Sequence, residues 1–256
     1  MRRLRAVLSL ASLLACGPAE KASDPAAREP TKADASPTGG SGGLFEDRAL
    51  EAGLDFAYFN GMSGELYMVE MVGGGVALLD YDGDGDLDVF LPQGRMLPAD
   101  RPETEARVPP RGPLRDRLFR NEVVPEGRLR FTDVTVEALP DDDDYGQGAA
   151  VGDVDGDGDP DLVVTNYGVD RLLRNLGDGR FESTALPVPP GWSTAATFLD
   201  YDGDGRLDIF VARYLDATLD NHFQCTAPSG LVDYCGPLSF APLPDALLRN
   251  RGDGTF

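Results

Sequence analysis

Three stretches of this 256-residue chain carry aspartate at one shared spacing: Leu79 to Phe90 reads LDYDGDGDLDVF, Gly152 to Val163 reads GDVDGDGDPDLV, and Leu199 to Phe210 reads LDYDGDGRLDIF. Counted from the first Asp, each copy has Asp at positions one, three, five and nine and Gly at position six. The side chains are Asp80, Asp82, Asp84 and Asp88; Asp153, Asp155, Asp157 and Asp161; and Asp200, Asp202, Asp204 and Asp208. So many carboxylates within nine residues repel one another at neutral pH. A hard divalent cation reverses that repulsion, and Ca²⁺ tolerates more ligands and less regular geometry than Mg²⁺. Gly85, Gly158 and Gly205 let the chain turn back on the ion with φ above zero. Position seven is Asp86, Asp159 or Arg206. Because an arginine side chain cannot ligate a cation, this position is read as offering its backbone carbonyl. One such copy is also compatible with a solvated acidic turn, whereas three copies in register predict three Ca²⁺ sites.

The elements that hold these loops are strands. A helix–loop–helix calcium site needs a bidentate Glu at position twelve, and here that position is Leu91, Val164 or Val211. The flanks LDVFL, LVVT and DIFVA are short, β-branched or aromatic runs that read as buried strands. The repeat extends further. Upstream lie VGGGVALLD, YGQGAAVGD and WSTAATFLD, in which Gly73/Gly75, Gly146/Gly148 and Ser193/Ala195 align. Small residues alternating along a strand suggest crowded backbones, as in inner strands around an axis. Downstream lie RLFRN, RLLRN and ALLRN; two of these lead into Gly-Asp-Gly turns, NLGDGRF and NRGDGTF. Each unit thus reads as a small inner strand, an Asp loop, an apolar strand, a third strand, a turn and an outer strand. Four antiparallel strands per unit make the blade of a β-propeller. Pro92 to Asp116, rich in Pro and Arg, reads as a surface insertion.

The organisation resembles the FG-GAP, or VCBS-type, calcium repeats of integrin α-subunit propellers. GVALLDYDGDGDLDVFLPQG, the paired-Cys segment CTAPSGLVDYCGP and DALLRNRGDGTF further resemble cartilage-acidic-protein-like proteins, which often carry an ASPIC/UnbV domain. The resemblance covers residues 44–256 and implies an all-β fold, a partial β-propeller of four-stranded FG-GAP blades with Ca²⁺-binding Asp loops. No ASPIC/UnbV segment is visible. Such propellers have about seven blades, and here the third unit stops at Phe256, where earlier copies continue into FTDVT and FESTA. A fragment or truncated product of about three blades is expected.

Ahead of the repeats, residues 1–16 read MRRLRAVLSLASLLAC, a basic start and a short apolar run that form an export signal. Its end, Leu13-Leu14-Ala15-Cys16, resembles the lipobox of bacterial lipoproteins, which implies cleavage before Cys16 and lipidation of its thiol. An ordinary signal peptide with a chance Cys is the alternative. Residues 17–43 lack aromatics and apolar periodicity and read as a disordered tether. From Leu44, LFEDRALEAGLDFAYFN reads as a strand, a turn near Gly53 and a second strand. Tyr58, Phe59, Met62, Tyr67, Met68 and Met71 then cluster, as cover for the edge of the first repeat or as a ligand patch. The protein is thereby expected to be exported and lipid-anchored to a bacterial membrane, facing the periplasm or the exterior.

The formal net charge is −21, and 14 Asp residues lie in the three loops, so much of the acidity answers a metal requirement. Nucleic acid is excluded as a partner for such a surface. Asp141 to Asp144 lack the spacing and the Gly and read as a solvated loop. Cys225 and Cys235 are close enough in sequence to pair, and export permits a disulfide; free thiols or a metal site are the alternatives. Arg251-Gly252-Asp253 spells an integrin-recognition tripeptide but overlaps the repeat's own turn. His222, the only histidine, reads as a hydrogen-bonded surface residue, and no catalytic constellation stands out. Two functions remain: a calcium-stabilised surface module that binds extracellular protein or glycan, or a propeller enzyme, a polysaccharide lyase or hydrolase, with unassigned acids.

Overall fold

Apolar runs on either side of each Asp loop pair as antiparallel strands. The computed structural model describes residues 45–141 and 144–256. Cys16, the 17–43 segment, Asp142 and Asp143 lie outside the described residues. From Asp47 to Phe256 the chain is one unit, mostly β with a few single-turn helices. None of the described helices is long and apolar enough to cross a membrane.

The first meander runs β1 (Ala77–Leu79), β2 (Asp88–Leu91), β3 (Arg117–Asn121) and β4 (Phe131–Asp133), each strand beside the next. The second runs β5 (Gly146–Gly152), β6 (Asp161–Gly168), β7 (Arg171–Asn175) and β8 (Phe181–Ala185). The third pairs β9 (Gly191–Leu199) with β10 (Asp208–Arg213). A hairpin of β11 (Cys225–Thr226) and β12 (Val232–Asp233) follows, and β13 (Ala246–Leu248) then returns to β10. Among the described residues the third meander has no fourth strand. The second and third are also not separate sheets. β6 and β9 outrun their neighbours, and their ends pair at Tyr167↔Trp192 and Gly168↔Gly191, which merges both meanders into one seven-stranded sheet.

Strand alternation sends successive side chains of β6 and β7 to opposite faces. Leu162, Val164 and Leu173 join Leu79, Phe90 and Leu118 of the first meander in one core. Val163 and Leu172 join Ile209 and Val211 of the third in another. This is why β6 carries the consecutive apolar residues Leu162, Val163 and Val164: it is buried on both faces, each such side chain being worth about 1.5–3 kcal/mol. The small residues of the inner strands are explained by contact. A Cβ on Gly75 would lie 3.0 Å from the Gly148 Cα, and one on Gly148 would lie 2.7 Å from the Thr194 carbonyl oxygen.

Two expectations are corrected. Residues 45–60 form no strand; the helix-favouring RALEA segment turns on itself, with the Ala52 and Leu54 N–H groups donating to the Arg48 and Ala49 carbonyls at 2.8 Å each. Part of the Tyr/Met cluster lies against the first repeat: the Phe59 N–H donates to Gln93 Oε1 at 2.6 Å, and a Cβ on Gly74 would come within 2.6 Å of the Tyr58 ring. Met68 and Val69 reach further and pack with Tyr145, Trp192, Leu215 and Ala217, beside the second and third meanders. The insertion is not wholly on the surface. Met96 and Leu97 are buried, and the Gln93 N–H donates to Asp116 Oδ1 at 2.7 Å, so its two ends are fastened together inside.

Candidate metal centres

Each Asp loop begins one residue after an inner strand and ends on the first residue of the next strand, so two paired strands fix its ends. Between them the loop folds on its first Asp. The N–H groups of Gly85, Gly158 and Gly205 each donate to Oδ2 of Asp80, Asp153 and Asp200 at 3.0 Å. Those glycines have φ of 96°, 100° and 86°, a region closed to most side chains. The glycines at position four are left-handed as well, a demand not evident from spacing.

The position-nine aspartates are fully buried. Asp88 Oδ2 accepts the Tyr81 N–H at 3.0 Å, and Oδ1 accepts the Asn121 N–H at 2.7 Å. Asp161 does the same with Val154 and Asn175, both at 2.8 Å, and Asp208 with Tyr201 and Asn250, at 3.1 and 2.7 Å. This carboxylate therefore ties the loop's second residue to the end of the third strand of its own meander or, at Asn250, to the residues just after it. Burial pushes Asp88 up to about 7 and Asp161 up to about 6, although the backbone donors pull the other way. Burial also raises Asp82, and the neighbouring Asp84 adds to the shift. Such uncompensated acidity marks a place where positive charge is favourable.

Oxygens of positions one, three and nine converge in all three loops. In Asp80/Asp82/Asp88, Asp153/Asp155/Asp161 and Asp200/Asp202/Asp208, one oxygen of each lies within 4.8 Å of the others. Position five stands differently: Oδ1 of Asp84, Asp157 and Asp204 accepts the N–H of position seven at 3.0–3.1 Å. The side chain of Asp86 is buried, and its Oδ2 accepts the Val124 N–H at 2.8 Å. In the first loop, Asp80 Oδ1, Asp84 Oδ2 and Asp86 Oδ1 are buried without a hydrogen-bond partner. Orphaned anionic oxygens are costly unless a cation or water meets them. An all-oxygen, anionic donor set with a small opening between its members fits a hard metal ion.

Two residues of the Leu-Arg-Asn and Phe-Arg-Asn triplets belong to these sites and were not assigned from spacing. Asn121, Asn175 and Asn250 seat the position-nine carboxylates. The preceding arginines approach the loops. Arg174 Nη1 lies 3.6 Å from Asp155 Oδ2, and Arg249 Nε lies 2.7 Å from Asp202 Oδ2. Arg120 instead pairs with Glu122 at 3.0 Å. The third loop is the most neutralised, because Arg206 also pairs with Asp204. The threefold recurrence of Arg-Asn after an apolar pair was the available signal.

The remaining candidates lie apart from the loops. Cys225 and Cys235 form a disulfide across the β11–β12 hairpin, with Cα atoms 5.1 Å apart. His222 Nε2 is 2.9 Å from the Glu65 carbonyl oxygen, and its ring meets the Tyr67 ring edge-on. Asp141 and Asp144 pair with Arg115 and Arg171. Arg251, Gly252 and Asp253 are exposed in a turn, where Asp253 Oδ1 accepts from both the N–H and the Oγ of Thr255.

No curated protein matches this chain. Residues 153–211, from the second Asp loop through the strand after the third, match the family described as an FG-GAP-like repeat.

Proposed function

We propose that the protein is a calcium-stabilised, extracytoplasmic binding or adhesion module, built of propeller blades and anchored to a bacterial membrane through a lipid on Cys16. The observation that carries the calcium reading is the threefold convergence of carboxylates from positions one, three and nine, with orphaned oxygens in the first loop. Asp80, Asp82, Asp84 and Asp88 and their counterparts would hold the ion, with the carbonyls of Asp86, Asp159 and Arg206 completing the set. Bound Ca²⁺ supplies fixed positive charge that turns mutual repulsion into cohesion. Binding to the folded loops alone then stabilises the fold by mass action.

The blade reading is supported by the meander order of the first two sets of strands and, over residues 153–211, by the matched repeat. Membership among the cartilage-acidic-protein-like, ASPIC/UnbV-associated lipoproteins rests on the quoted motifs. The partner is read as an extracellular protein or glycan. The polar side chains repeated through the chain serve the loops, and variable surface segments around a rigid sheet suit recognition.

The test is a thermal melt of the exported protein in EDTA and in millimolar calcium. Melting should rise by several degrees with calcium; an unchanged transition removes the calcium reading. For the anchor, metabolic palmitate labelling should mark the wild type and not Cys16→Ser, and equal labelling of both refutes it.

A further inference from the structure

The three Asp loops are joined to one another by buried hydrogen bonds. Asn175 sits on the second meander, where its backbone N–H donates to Asp161 Oδ1 at 2.8 Å. Its side-chain Nδ2 reaches across to the first loop and donates to the Tyr81 carbonyl at 2.8 Å. Tyr81 lies between two candidate ligands, Asp80 and Asp82, and its N–H donates to Asp88 Oδ2. Asn250 repeats the device one meander on. Its N–H donates to Asp208 Oδ1 at 2.7 Å, and its Nδ2 donates to the Val154 carbonyl at 2.7 Å. Val154 lies between Asp153 and Asp155, and its N–H donates to Asp161 Oδ2 at 2.8 Å. An unbroken path thus runs from Asp208 through Asn250, Val154, Asp161, Asn175 and Tyr81 to Asp88. Every side chain on it from Asp208 to Asp88 that donates or accepts is buried.

We propose that Asn175 and Asn250 are positioning residues that couple the three cation loops, so that an ion held in one loop raises the affinity of its neighbour. The inference rests on the cation reading of these loops. Its physical basis is shared ordering. A loop without an ion gains nothing from gathering its carboxylates; in the first and second loops the second residue, its side chain packed in the core, has its backbone fixed by the position-nine carboxylate and the neighbour's asparagine. An ion in the second loop fixes Asp161, and through it Asn175, whose amide then holds Tyr81 where Asp80 and Asp82 must sit. The first loop has less freedom left to lose when its own ion arrives. The coupling is reciprocal by linkage, and a typical value is about 5-fold or more in affinity.

Electrostatics predicts the opposite sign. A dication in one loop weakens the acidic field that draws the next, although ionic screening limits the effect beyond about 10 Å. Positive coupling therefore identifies the hydrogen-bond path and not mere charge neutralisation.

The experiment uses the full chain with Tb³⁺, a hard oxygen-seeking ion whose luminescence is sensitised by a neighbouring tyrosine. Tyr81 reports the first loop and Tyr201 the third, while the second loop carries Val154 at that position. In a Tyr201→Phe background, the part of the signal lost in Asp82→Asn reports the first loop. Asp155→Asn, at an exposed side chain of the second loop, should weaken Tb³⁺ binding at the first loop by about 5-fold. In an Asn175→Ala background the same substitution should change first-loop affinity by less than about 2-fold. First-loop affinity indifferent to Asp155→Asn, or tightened by it, overturns the coupling while leaving the cation sites standing. That arm needs no asparagine variant, so it decides the matter even where Asn175→Ala does not fold. Absence of any Tb³⁺ or calcium binding by the wild type overturns the cation reading itself, and the coupling with it.

Discussion

The third loop should be the weakest of the three cation sites, and Arg206→Asp should repair it. Two guanidinium groups lie on its carboxylates: Arg206 pairs with Asp204, and Arg249 Nε lies 2.7 Å from Asp202 Oδ2. An ion about 2.4 Å from either carboxylate would sit about 5 Å from the guanidinium paired with it. Coulomb's law for a dication and a unit charge at that distance gives about 1.7 kcal/mol in the dielectric of water and about twice that at half the dielectric. Both arginine side chains are substantially exposed, 41% and 58%, and can swing aside, so the smaller figure applies. One arginine then costs the third site on the order of tenfold in affinity. Arg206→Asp removes that repulsion and restores the residue type found at position seven in the other loops. The assay is a Tb³⁺ titration in which the third-loop signal is the part lost in Tyr201→Phe, with calorimetry of calcium binding as a second measure. Tightening of the third site by at least about tenfold is expected, since the variant also adds a negative charge. Equal third-site affinity in wild type and variant, or a wild-type third site tighter than the first two, would refute the argument.

The inner strands are the next place to press. A Cβ on Gly148 would come within 2.7 Å of the Thr194 carbonyl oxygen and 2.8 Å of Thr165 Oγ1. Gly148→Ala should destabilise by about 1–3 kcal/mol in urea unfolding, and a cost below about 0.5 kcal/mol would show that the inner strands separate freely. Cys225→Ser opens a short loop and should cost at most about 3 kcal/mol. Hydrogen exchange should confine the loss to the β11–β12 hairpin, and loss of protection in β6 would contradict a local role.

The loops were legible because their demands are local. Four acids, a glycine and an apolar run fall within a dozen residues, and position and chemistry can be read together. The paired strands were legible for the same reason, as was the crowding implied by Gly75 and Gly148. The asparagines were harder. Asn175 serves a carboxylate 14 residues away and a carbonyl 94 residues away, and nothing near it in sequence announces either partner. RALEA misled because a helix-favouring segment satisfies its own backbone when no strand lies beside it. The joining of β6 to β9 depends on strand lengths set by side chains of other elements, which a pattern of alternation within one strand does not contain.

The segment around Glu70 and the hairpin after β10 give this chain an unusual unfolding order for a repeat protein. Tyr234 donates to Glu70 Oε2 at 3.0 Å and His222 meets the Glu65 carbonyl, contacts that span 164 and 157 residues. Repeat arrays in which each unit touches only its neighbours lose structure stepwise from their ends. Here the third meander cannot peel away without also stripping the buried Glu70 of one of its donors and opening the cluster that holds Met68 against Trp192 and Leu215. The residues from Asp47 to Phe256 should accordingly denature in one step, and should form slowly, because the closing contacts wait on the most distant parts of the chain.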